Sequence, residues 1–237
     1  MKTRYARIAV LLVLALGFTT LAAAQTQTID PTRFEEAIQA FEAEDSAMMP
    51  PEGAIVVTGS SSIRRWHPSL KQDLAPLTVI PRGFGGSTMQ DLEYFLDRIV
   101  IKYKPRAVVI YEGDNDTAYG VAPEEIVGRL ESIVDRIHAE VPEARVYVMS
   151  VKPSLARVDV WDKAQEANAL SQRFADSHDL VSYIDVANPF LQSNGQVMDD
   201  IFIDDGLHLN EKGTEIWAST IKAALMKDEA QHEPTEE

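Results

Sequence analysis

Alternation constrains this chain more than any other feature: short apolar runs recur between longer stretches whose apolar residues are spaced as in helices. The runs are Ala54–Thr58, Leu77–Ile80, Ala107–Tyr111, Arg145–Ser150 and Val181–Ile184. Short runs of this kind, alternating with helical stretches, are expected to form a mainly parallel sheet within an α/β domain. The expected helices cover Pro31–Glu44, Met89–Lys102, Pro123–Val141, Trp161–His178 and Glu211 to about Lys227. Within Pro123–Val141, proline suits the first helical position and Glu124–Glu125 suit the positive N-terminal end. Ile126, Leu130, Ile133, Val134 and Ile137 then mark one face for the sheet. Neither an internal repeat nor a linker divides the chain, so residues 25–227 are expected to form one domain.

The two ends differ from this body. Lys2, Arg4 and Arg7 precede an apolar run from Ile8 to Leu21, and Ala22-Ala23-Ala24 follows with small residues. Residues 1–24 therefore read as a signal peptide, cleaved before Gln25, with the product exported to a periplasm or secreted. The run is shorter than the ~20 apolar residues that span a bilayer and is interrupted by Gly17, Thr19 and Thr20, which argues against a lasting membrane anchor. Residues 228–237 are polar and acidic without apolar periodicity and are expected to be disordered. No cysteine occurs, so an ordinary hydrophobic core has to supply stability. The formal net charge is −15, and loss of the three N-terminal cations makes it more negative still. Nucleic acid and anionic membranes are disfavoured as partners, and neutral or cationic substrates are favoured over polyanions.

Polar residues follow the first three runs: Gly59-Ser60-Ser61-Ser62, then Gly83-Phe84-Gly85-Gly86, then Gly113-Asp114-Asn115-Asp116. In an open parallel sheet these points lie along one edge, where ligands bind. Asp205-Gly206-Leu207-His208, near the other end of the chain, supplies a carboxylate and an imidazole three residues apart. A serine hydroxyl needs a base to take its proton, and the base works best when a carboxylate fixes its tautomer. A serine hydrolase with chain order Ser, Asp, His follows. Oxyanion donors are also required, and a glycine N–H from the Gly83–Gly86 segment and the Asn115 amide are suited to that part.

Taken together, these four blocks resemble those of the SGNH (GDSL-type) hydrolase superfamily, which contribute Ser, Gly, Asn and His. The serine block is Gly59-Ser60-Ser61, the glycine block Arg82-Gly83-Phe84-Gly85-Gly86, the asparagine block Gly113-Asp114-Asn115-Asp116 and the histidine block Asp205-Gly206-Leu207-His208. The resemblance covers about residues 54–220. It implies a three-layer α/β/α sandwich, flavodoxin-like, around a five-stranded sheet. It also implies a nucleophile at Ser61, an Asp205–His208 pair, and oxyanion donors at Ser61, Gly86 and Asn115, with no metal or organic cofactor. The implied substrate is a small-molecule ester: an acyl ester, an acetylated sugar or a lysophospholipid. A non-catalytic carbohydrate- or envelope-binding member of the fold is the alternative.

Two positions depart from the pattern, with Ser60 where Asp is usual and Pro81 where Asn is usual. An α/β-hydrolase elbow would need glycine where Ile63 stands. Ser62 is the fallback nucleophile. His67, His138, His178 and His232 are read as surface residues, and Asp199, Asp200, Asp204 and Asp205 as a chance acidic cluster rather than a calcium site. Trp66, Trp161 and Tyr119 are assigned to packing, and the oligomeric state is not legible.

Overall fold

The computed structural model describes residues 30–233. The expected signal peptide lies outside these residues. Five strands, β1 (Ile55–Gly59), β2 (Val79–Gly83), β3 (Ala107–Tyr111), β4 (Arg145–Met149) and β5 (Val181–Ile184), form a wholly parallel sheet in the order β2-β1-β3-β4-β5. Among the described residues seven α-helices surround it: α1 (Glu35–Ala47), α2 (Ser61–Asp73), α3 (Met89–Ile99), α4 (Asp114–Ala118), α5 (Pro123–Glu140), α6 (Trp161–Asp176) and α7 (Glu211–Asp228).

Successive side chains of a strand point to opposite faces, and the core divides accordingly. Val56, Ile80, Val108, Val146 and Val148 pack with α1, α3, α5 and α6. Ile55, Val57, Val109, Tyr147 and Met149 pack with Ile63, Trp66 and Leu70 of α2 and Trp217, Ile221 and Leu225 of α7. The result is the expected flavodoxin-like α/β/α sandwich, and its strand order reverses between β1 and β3.

The second strand lies later than its apolar run suggested, ending at Gly83 and including Pro81. Proline is accepted because β2 is an edge strand, where a missing N–H need not break a ladder. Helix α2 was not anticipated. Its buried residues are only Ile63, Trp66 and Leu70, a stripe too narrow to stand out among polar neighbours, and it contains Pro68.

The expectation of a disordered acidic end is corrected as far as Glu233. Glu229 is fully buried and accepts hydrogen bonds from Arg106, Arg145 and Tyr147, while Glu233 accepts from the Thr78 N–H at 2.7 Å and pairs with Arg106. Polarity suggested solvation, but these carboxylates have partly buried cationic and hydroxyl partners that only the fold assembles.

His67 is likewise not a free surface residue. Its Nε2 accepts the Gly83 N–H at 3.0 Å, joining α2 to the end of β2. Burial, together with the Arg82 and Arg64 charges, lowers its pKa from 6.5 to about 4. The native state therefore refuses a proton that the unfolded chain accepts between those values, and stability falls as pH drops through that window. His67→Gln removes this term. Urea unfolding at a series of pH values should show wild type losing ground to His67→Gln between about pH 6.5 and about pH 4; a gap independent of pH would refute the assignment.

Candidate active site

Three loops rise from adjacent strand ends. Gly59 is in register with Gly83 on one side and Tyr111 on the other, so the segments leaving β1, β2 and β3 start at one level. Gly59 has to be glycine, because a Cβ there would lie 2.2 Å from the Tyr111 carbonyl oxygen. That close approach allows the chain to leave β1 through Ser60, whose N–H donates to the same carbonyl at 3.1 Å, and to enter α2 at Ser61.

Ser61 is the first residue of α2, and among the described residues its N–H has no hydrogen-bond acceptor, as expected for a first-turn donor. Its Oγ lies 2.8 Å from His208 Nε2, and His208 Nδ1 lies 2.6 Å from Asp205 Oδ2. With the Nδ1 proton donated to the carboxylate, Nε2 is left as an acceptor for the serine hydroxyl. The structure thus joins the three residues in one relay, with Ser61 rather than Ser62 facing the imidazole.

Asp205 and His208 sit in a loop ahead of α7 rather than on a helix. Asp205 Oδ1 accepts the Leu207 and His208 N–H groups, each at 2.9 Å. Partial burial raises the Asp205 pKa, but the bonds from the His208 ring and these two N–H groups outweigh it and hold the carboxyl well below the usual range. Asp205 therefore faces the imidazole as a carboxylate. The loop is braced from a second segment: Lys152 Nζ donates to the Leu207 carbonyl at 2.7 Å, and the Ala156 N–H to the Gly206 carbonyl at 3.0 Å. Lys152 is almost completely buried, and burial lowers its pKa.

Asn115, the second residue of α4, is also buried. Its Nδ2 donates to the Ser87 carbonyl at 2.8 Å, and its Oδ1 accepts from Arg157 at 2.7 Å. The Arg157 guanidinium pairs with Asp114 at the same time. Since Oδ1 is held by Arg157, the amide can be oriented only one way, with both Nδ2 hydrogens on the opposite side. Gly86 stands at φ +87°, the left-handed region that glycine tolerates, and among the described residues its N–H has no acceptor.

A buried acidic group ties the Gly86 and Asn115 loops together. The Asp116 carboxylate accepts the Met89 N–H at 3.1 Å and the Gly113 N–H at 3.1 Å, and the Ser87 hydroxyl donates to Glu112 Oε1 at 2.5 Å. Burial pushes Asp116 up to about 6 against the effect of these N–H donors. Burial, reinforced by the Asp116 charge, pushes Glu112 well above the carboxylate range. Of these supporting groups, only Asp116 stood inside a motif, and its strapping role depends on α3, which the motif does not mention.

The remaining candidates are placed as follows. Trp66 is buried and donates to Asp73, whereas Tyr119 is exposed at the end of α4. In the acidic cluster, Asp205 serves His208 and Asp200 pairs with Lys212. A recess of about 160 Å³ adjoins His208, lined by Ser62, Arg65, Trp66, Leu209, Thr214 and Trp217. A larger cavity, about 660 Å³, lies along β2 and Met48–Pro51 and includes none of the residues of the relay.

Comparison with known proteins gives a consistent picture. The model of the GDSL-like Lipase/Acylhydrolase family matches residues 45–216. The platelet-activating factor acetylhydrolase IB subunit alpha1 of Pongo abelii is 26% identical over 167 residues, covering 68% of this chain and 71% of that protein. A GDSL-like lipase from Bacteroides thetaiotaomicron shares the fold with TM-score 0.67 and 22% identity, over 80% of this chain and 97% of its own. A catalytic mutant of an acetylxylan esterase from Geobacillus stearothermophilus does so with TM-score 0.58 and 17% identity, over 73% and 94%.

Proposed function

The chain belongs to the GDSL-like lipase/acylhydrolase family, and on that premise we propose that it is an exported serine esterase acting through an acyl-enzyme on Ser61. The observation that carries the reading is the unbroken Ser61–His208–Asp205 relay, at 2.8 Å and 2.6 Å. In this cycle His208 takes the hydroxyl proton as Ser61 Oγ attacks the ester carbonyl, and Asp205 stabilises the imidazolium. The tetrahedral oxyanion is held by the Ser61 N–H, the Gly86 N–H and the Asn115 Nδ2–H. Collapse expels the alcohol, which receives the proton from His208. Water then repeats the sequence on the acyl-serine, releasing the carboxylic acid. A small acyl group such as acetyl is favoured, in keeping with the acetylhydrolase activity for which the Pongo abelii relative is named.

An organophosphonate should label Ser61 stoichiometrically, as located by mass spectrometry. Ser61→Ala and His208→Ala should each lower turnover by roughly 10³-fold or more, with the double variant hardly worse, because the two act as one unit. Absence of labelling together with wild-type turnover in Ser61→Ala would end the serine mechanism. A binding module that had lost turnover would show neither labelling nor hydrolysis.

The Asn115 assignment makes a separate prediction. Asn115→Ala should lower kcat by about 10²–10³-fold with little change in KM. Arg157, which touches the oxyanion donor but not the reacting atoms, is a positioning residue. Arg157→Ala should lower kcat roughly tenfold, leave KM close to wild type, and add little in an Asn115→Ala background. Additive effects of the two substitutions would separate Arg157 from the oxyanion site.

Export rests on the pattern of residues 1–24. Mass analysis of protein recovered from outside the cytoplasm should give a mature N-terminus at Gln25. Retention of residues 1–24 would overturn cleavage.

A further inference from the structure

Acids greatly outnumber bases in this protein, 37 to 22, and most of its cations are paired. Arg33, Arg82, Arg98, Arg106, Arg129, Arg136, Arg145 and Arg157 all contact carboxylates. Arg64 and Arg65, both exposed, make no ion pair among the described residues. They stand three and four positions after Ser61 on α2, the spacing that places side chains on the nucleophile's face of a helix. The Arg64 guanidinium lies along Gly85, with Nε 2.5 Å from where a Cβ would be. Arg65 lines the recess beside His208.

The chemistry of that recess is one-sided. Among the described residues no carboxylate lines it. Its lining includes Arg65, which has no ion pair, and Ser62, whose hydroxyl has no hydrogen-bond partner among the described residues. The Thr214 hydroxyl is already committed to the Asn210 carbonyl. A free hydroxyl and an unpaired guanidinium-bearing residue around about 160 Å³ suit a compact, acceptor-rich anion. His208 closes one side, and the leaving alcohol is the part of an ester that must approach this imidazole for its proton.

We propose that the recess formed by Ser62, Arg65, Trp66 and Trp217 beside His208 binds a carboxylate or phosphate on the alcohol portion of the substrate. The preferred substrates are thus acyl esters of anionic alcohols. This rests on the esterase reading above and departs from the expectation, drawn from net charge, that neutral or cationic substrates are favoured over polyanions. Charges more than a Debye length away, about 8 Å at physiological salt, are screened, so the distant excess of acids weighs little, while the nearer Asp205 and Asp73 are already engaged by His208 and Trp66.

The test uses matched ester pairs: 1-acetylglycerol 3-phosphate against 1-acetylglycerol, and acetoxyacetate against acetoxyacetamide. With the full mature protein at low salt, kcat/KM should favour the anionic member by roughly tenfold or more, as expected for a hydrogen bond to a charged group. The two pairs identify phosphate or carboxylate as the preferred anion. The preference should shrink at high salt. Arg65→Gln should bring the ratio close to one, mainly through KM, and Arg65→Lys should retain part of it. Equal rates for both members of both pairs, from an enzyme that hydrolyses them and labels at Ser61, would overturn the anion site alone. No hydrolysis and no labelling would overturn the esterase reading with it.

Discussion

The site depends on the pairing of β1 with strands on both sides. Its register sets Gly59 level with both Gly83 and Tyr111, which fixes where three separate loops begin. Both faces of β1 are apolar, so a slip of one residue would exchange like for like in the core, but it would move Gly59 away from the Tyr111 carbonyl, where a Cβ has no room. That close approach thereby ties the register to the geometry above the sheet edge. Ser61, Gly86 and Asn115 inherit their positions from that pairing, and His208 is brought in by a loop braced from Lys152 and Ala156.

Support for the Gly86 and Asn115 loops comes from carboxyl groups inside a protein that already carries excess negative charge. Asp116 receives two backbone N–H donors, which offset its burial only in part. Glu112 has the Ser87 hydroxyl on one oxygen, while the other is buried without a partner among the described residues. Burial and its acidic neighbours favour the neutral form, which removes most of the desolvation cost that a buried anion would carry. Polar support beside Gly86 and Asn115 thus comes from a group whose burial favours its uncharged form.

Much of this was legible in the sequence because the signals were local. The five apolar runs gave the parallel sheet, and the four short blocks named Ser61, Gly86, Asn115, Asp205 and His208, of which the structure joins three in a relay. What escaped notice depended on distant partners. Arg157 reads as an ordinary basic residue until the fold brings it to Asn115, 42 positions earlier in the chain. Glu229 reads as part of an acidic tail until Arg106 and Arg145 surround it. Helix α2 was hidden by polar residues, two of which, Arg64 and Arg65, are polar because they face outward beside the nucleophile.

The separation of Ser61 and His208 by 147 positions also has a consequence for biosynthesis. A ribosome delivers the serine early and its base late, and the braces at Lys152 and Arg157 fall between them. Until the later segment has been made, the Ser61 hydroxyl has no imidazole to accept its proton and is chemically as quiet as any surface serine. The contact needs both the segment containing His208 and the sheet that sets Ser61, so it cannot form before nearly all of the fold's sequence exists.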